Sequence, residues 1–289
     1  MQNSILGGAP VIPSVNIAAM AASLLFACVV PIVLIIIMLV KKKLGIKPLL
    51  VGAAIFAVCF AIAVVTAQIA TAYIANTALL IFVLSLRAGI VEETGRLLAF
   101  RFILKPKNGW HEYKTAASYG VGHGFCEALL TLGLNYVSYI VFAIMINSGG
   151  LAALTGALPP GTADPYAELI GVLAGTAPSL FLISGFERIT AMIFHFSASI
   201  IVFYGVKERK YGYYLLAILL HTAFNSLTIP LSAGAASIWV TELVLFLAAL
   251  AIFAFSRVCA ARLKRNDTDG AEEYAPLSDA PADGQYNDE

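Results

Sequence analysis

The chain has 289 residues, 60% of them hydrophobic and 12% charged, with a net charge of +1. A soluble domain carries about a quarter of its residues as charges, so this balance excludes a soluble enzyme and implies a polytopic membrane protein. No soluble domain, internal repeat, nucleotide-binding motif or nucleic-acid partner is expected; the implied surroundings are membrane lipids.

Taken in chain order, seven apolar segments approach or exceed the ~20 residues needed to cross a bilayer. They run at 16–40, 48–73, 77–104, 115–146, 178–205, 211–231 and 236–257. The piece at 166–176 is too short to span and is expected at the interface or folded back into the bundle. The predicted fold is an all-α transmembrane bundle over 1–258. Residues 259–289 follow as a basic then acidic cytoplasmic tail, disordered from 266, where eight acidic residues and no basic one remain.

Charge placement orients the bundle. Lys41, Lys42, Lys43 and Lys47 follow the first span, and Lys105, Lys107 and Lys114 the third. Lys207, Arg209 and Lys210 follow the fifth, and Arg257, Arg262, Lys264 and Arg265 the seventh. The alternate segments 1–15, 74–76, 147–165 and 232–235 carry no Lys or Arg. The positive-inside rule then puts the N-terminus outside and the C-terminus in the cytoplasm, in a multi-pass protein of the cell membrane. The N-terminus, with no basic residue before Lys41, does not read as a cleavable signal. Cys28, Cys59, Cys126 and Cys259 show no CxxC spacing, so neither a disulfide framework nor a cysteine zinc site is implied.

Inside the spans lie Arg87, Arg96 and Arg188 with Glu92, Glu93, Glu127 and Glu187, a near balance that predicts mutual pairing. Three of the four histidines are also intramembrane: His123, His195 and His221, whereas His111 sits in a cytoplasmic loop. Counting at 1.5 Å per residue from each cytoplasmic end puts Glu92, His123, His195 and His221 at one level, roughly 12–18 Å deep on four helices. Residues four apart share a face. Arg96 is therefore positioned to neutralise Glu92, with Glu93 also in reach. Tyr119, His123, Glu127, Thr131 and Asn135 form one stripe; Glu187, Ala191, His195 and Ser199 form another; His221 pairs with Asn225. Gly120, Gly122 and Gly124 around His123 allow a neighbouring helix to approach closely. Adjacent Glu187 and Arg188 are expected to point to different faces.

The residue set narrows the chemistry. There is no GxSxG, and the first aspartate is Asp164 in an outside loop, so serine and aspartyl mechanisms are excluded. A glutamate base with histidines remains, metal-assisted or metal-free. Three imidazoles, His123, His195 and His221, can hold Zn²⁺ with a fourth position open to water, and Glu127 can act as ligand or orienter. Asn225 can donate to a developing oxyanion.

The stretches "EETGR", "YGVGHGFCEA", "FERITAMIFHFSAS" and "HTAFN" resemble the YhfC-type intramembrane metalloproteases, relatives of the type II CAAX prenyl proteases and bacteriocin-processing (CPBP) enzymes. The resemblance covers roughly 12–258. It implies Glu92 as the base activating water, with Glu93 as a second carboxylate and His123, His221 and Asn225 around the scissile carbonyl of a membrane-protein or peptide substrate. This chain departs from the wider pattern in the three-residue spacing from Glu93 to Arg96, in Tyr119 for Phe, and in the additional Glu127 and His195. The clan also contains a seven-span scaffold subunit of γ-secretase, so a non-catalytic scaffold is the alternative. A proton-coupled carrier fits less well, because no matching broken segments occur in two halves.

Overall fold

The computed structural model describes residues 11–105, 112–150, 166–229, 234 and 236–273, with side chains up to Leu263. His111, most of the 147–165 loop and residues 274–289 lie outside these. All regular structure among the described residues is helical. Helix α1 is Ser14–Val40 and α2 is Ile46–Tyr73. Helix α3, Thr77–Leu98, runs into a π turn at Ala99–Ile103. Helix α4, Glu112–Asn147, contains a π turn at Leu129–Gly133. Then come α5 (Ala167–Gly175), α6 (Pro178–Lys207), α7 (Gly212–Ser226) and α8 (Ile238–Glu273).

Helices α1, α2, α4 and α6, with the Ile238–Leu263 part of α8, are long and apolar enough to cross a membrane. Helix α3 is interrupted by Arg87, Glu92, Glu93 and Arg96. Helix α7 has 15 residues, about 22 Å, less than the ~30 Å hydrocarbon core and shorter than the expected 211–231 segment. The molecule is a multi-pass helical membrane bundle.

Helix α6 is its axis. Its most apolar window is 72% buried, against 17–28% for the other four long helices. From Thr190 to Gly205 it is buried on nearly every face, as in a helix enclosed by others, while Leu180, Leu182 and Phe186 near its start stay exposed. Helices α1, α4, α7 and α8 pack around it, while α2 packs on α4 and α3 on α7.

Two glycine contacts set the spacing that the site needs. A Cβ on Gly122 of α4 would lie 2.0 Å from the Leu49 carbonyl oxygen, and one on Gly52 of α2 would lie 2.2 Å from that of Tyr119. The backbones therefore touch where His123 is carried, as the glycines around His123 led one to expect. On the other side, a Cβ on Gly89 of α3 would lie 2.9 Å from the Ile218 carbonyl of α7. That approach brings the next turn of α3, with Glu92 and Glu93, against His221.

Asn76 caps α3 by accepting from the Leu79 N–H at 2.9 Å. Asn16 of α1 donates to the Leu173 and Thr176 carbonyls at 2.7 and 3.0 Å, holding the C-terminal end of α5 against α1. The short apolar piece thus folds back into the bundle. Helix α8 stays helical to Glu273, eight residues past the point where the tail was expected to become disordered.

Candidate functional site

The four helices predicted to bring polar groups to one level do bring them together. The ring centroids of His123 (α4) and His195 (α6) are 4.6 Å apart, and those of His195 and His221 (α7) are 5.2 Å apart. All three rings are buried. Phe56 and Phe194 pack edge-on against His123 and His221, respectively. Donor atoms of Glu92, His123 and His195 all lie within 4.8 Å of one another, a grouping that can hold a metal ion. His221 Nε2 is 4.0 Å from Glu92 Oε2.

The two glutamates have different surroundings, as their 100° separation on a helix requires. Glu93 is fully buried. Its Oε1 accepts from His221 Nδ1 at 2.9 Å, and its Oε2 is bonded to Arg96 Nη1. Arg96 was expected to neutralise Glu92 with Glu93 also in reach; of the two, it is Glu93 that it bonds. The reason lies across the bundle: its second amino group, Nη2, is 3.0 Å from His195 Nδ1 on α6, and that orientation leaves Nη1 beside Glu93. Glu92 keeps its carboxylate partly open, with its Oε2 3.1 Å from His123 Nε2.

These contacts assign protons. A guanidinium only donates, so His195 Nδ1 accepts from Arg96, and in the neutral ring the proton sits on Nε2. His195 Nε2 lies 2.7 Å from Glu127 Oε2. The lone pair of His195 Nδ1 is thus taken by Arg96, and Nε2, which carries the proton, stands at ion-pair distance from Glu127, whose Oε2 accepts no hydrogen bond among the described residues. His221 is the reverse case. Its Nδ1–H donates to the Glu93 carboxylate, leaving the Nε2 lone pair directed toward Glu92, the carboxylate–histidine arrangement common behind metal ligands.

A chain of ion pairs leads outward from His195. Arg188 donates to Glu127 Oε1 at 2.9 Å and to Thr131 Oγ1 at 3.3 Å, and it is also bonded to Glu187. Glu187 and Arg188 were expected to face apart, but the long arginine side chain folds back to its neighbour while reaching α4. Beside them a groove of about 430 Å³ opens between α4 and α6, lined by Thr131, Asn135, Tyr136, Ser184, Glu187 and Arg188. The π turn of α4 borders it, and Asn135 there donates to the Thr131 carbonyl at 2.8 Å. Such bulges are frequent at functional sites.

Other residues fall differently from the sequence reading. Arg87 finds no carboxylate among the described residues; it donates to the Ala63 carbonyl and to Thr66 Oγ1 of α2. Asn225 is half-buried on α7, one turn beyond His221, and its side chain shows no hydrogen bond among the described residues. Glu242 was missed: it sits in the apolar run "WVTELVLF", and its interruption of that run was the available signal.

A bundle of apolar helices enclosing a buried glutamate–histidine cluster defines a polytopic membrane protein with a donor set that can hold a metal ion. The sequence matches the YhfC intramembrane metalloprotease family over residues 26–245, and the chain belongs to that family. It is also similar to the "Uncharacterized membrane protein YhfC" of Bacillus subtilis (strain 168), 37% identical over 143 residues. That match covers 48% of this chain and 52% of the relative, so it spans about half the relative's length.

Proposed function

We propose that the protein hydrolyses a peptide bond in or near the bilayer, with Glu92 as the base that takes the proton of the attacking water. The supporting observation is that the Glu92 Oε2 faces two imidazoles, at 3.1 Å from His123 Nε2 and 4.0 Å from His221 Nε2. A water among these three groups is within reach of a carboxylate that no arginine occupies. Glu93 holds the His221 tautomer, and Arg96 balances the Glu93 charge. Asn225, with its amide free and on the His221 face, donates to the oxyanion.

The donor set fits a divalent metal, Zn²⁺ in this reading. His123 and His221 would hold it with Glu92 beside it, and it would polarise the scissile carbonyl and acidify water. Although His195 lies in the group with Glu92 and His123, it serves as a positioning residue rather than a ligand in this reading, because its Nδ1 lone pair is taken by Arg96 and its Nε2 carries the proton. The polar groove between α4 and α6 provides the approach for the substrate backbone.

A scaffold remains the second reading, favoured by one observation: Arg96, His195, His221, Glu93 and Glu127 all bond between helices and so hold the bundle together. Comparing membrane proteomes of cells expressing wild type and Glu92→Gln separates the two. A fragment that disappears with normal variant abundance supports hydrolysis; unchanged fragments with normal abundance reject it. Falling abundance with no fragment change favours the scaffold.

A further inference from the structure

A second cavity, of about 380 Å³, lies between the first turns of α6 and α8, away from the histidines. Its walls are Leu182, Ile183, Phe186, Trp239, Leu243 and Phe246, and it also contains Ser179 and Glu242. Glu242 is only 8% exposed, and its buried Oε2 has no hydrogen-bond partner among the described residues. A buried carboxylate oxygen left without a donor is costly, so in a functional protein something supplies one. The neighbouring Arg188 is already bonded to Glu127 and Glu187.

We propose that this groove binds an aminophospholipid, with the primary ammonium paired to Glu242 and an acyl chain laid along the apolar wall. Depth supports a headgroup. Glu242 is the fifth residue of α8, about 6 Å from the helix start, and Ser179 is the second of α6. That is the thickness of the interfacial layer on one side of a bilayer. Trp239, 59% exposed at the same end, has the position of a membrane-interface anchor. Leu182, Phe186 and Leu243 on the rim are exposed and lipid-facing. Size also favours a lipid: a helix about 10–12 Å across can lie over a cavity of this volume but cannot enter it. Chemistry selects the headgroup, since an ethanolamine ammonium carries N–H donors for Oε2 and a quaternary choline carries none.

The test is native mass spectrometry of the purified full chain given an equimolar mixture of dioleoyl phosphatidylethanolamine and dioleoyl phosphatidylcholine. Wild type is expected to retain the ethanolamine lipid about tenfold over the choline lipid, and Glu242→Gln to lose that preference (one hydrogen-bonded contact to a charged group corresponds to about this ratio). Equal retention by wild type, or an unchanged preference in Glu242→Gln, overturns the proposal. If Glu242→Gln does not fold, Leu243→Trp fills the groove and keeps the carboxylate; it has to lower retention of the ethanolamine lipid, and undiminished retention counts against the site. A photoreactive residue at position 239 that captures a polypeptide in place of lipid would assign the groove to a partner helix and also overturn it.

Discussion

At the scale of single residues, the site separates two carboxylates that are neighbours in sequence. Glu93 is enclosed by Arg96 and His221, while Glu92 faces the imidazoles with part of its carboxylate open. Glu92→Gln is expected to reduce fragment release by about 10²–10⁴-fold, the usual loss of a general base, with an unshifted thermal transition. Glu93→Gln is expected to behave differently. It strands the fully buried Arg96 charge, so stability should fall by about 3–5 kcal/mol while a trace of activity survives. Thermal unfolding in detergent, run beside the cleavage assay, distinguishes the two; if Glu92→Gln turns over normally and Glu93→Gln is dead but stable, their roles are exchanged. Metal content tests the histidine assignment. His123→Gln and His221→Gln should each lose most of the bound zinc measured by elemental analysis, whereas His195→Gln should retain it. Loss of zinc in His195→Gln alone would show that His195 is a ligand after all.

At the scale of elements, backbone contact is what brings the helices into register. Helices α2 and α4 meet through Gly52 and Gly122, and α3 and α7 meet at Gly89. A side chain at Gly122 would press on the Leu49 carbonyl, which is backbone and cannot rotate away. Gly122→Val should therefore cost at the upper end of the ~1–3 kcal/mol typical of overpacking. Gly89→Ala is a milder intrusion into α7, directed at the helix that carries His221. Its expected signature is a loss of cleavage larger than its loss of thermal stability, because displacing His221 by a fraction of an ångström disturbs the pairing with Glu93 before it unfolds the bundle. An equal decline in both would tie the glycine to stability alone.

At the scale of the molecule, the buried α6 serves as a common wall for the site and the lipid groove. The orientation proposed from the basic segments places the α4–α6 polar groove toward the outside of the cell, since Tyr136 and Tyr139 follow His123 along α4 in the direction of the Lys- and Arg-free 147–165 segment. Cysteines introduced at Ser148 should react with an impermeant maleimide in intact cells, while those at 106–111 should react only after lysis. The opposite labelling pattern would invert the topology and move the groove to the cytoplasmic side.

The membrane class, the helical architecture and the meeting of Glu92, His123, His195 and His221 were all legible in the sequence. Each depends on quantities that are local to the chain: apolar content, helix rise and the distance from a basic segment. The family resemblance was carried by short motifs that survive without knowledge of packing. Pairing was another matter. Whether Arg96 met Glu92 or Glu93, whether His195 kept a free nitrogen, and whether Arg87 found a carboxylate or a carbonyl depended on which side chains stood on the facing helices. Glu242 belongs to the same category, since its isolation follows from Arg188 being engaged by Glu127 on α4 and by Glu187. Helical periodicity says which residues share a face; only the crossing of helices decides what that face meets, because a long side chain reaches several partners and a buried charge takes whichever one best replaces water.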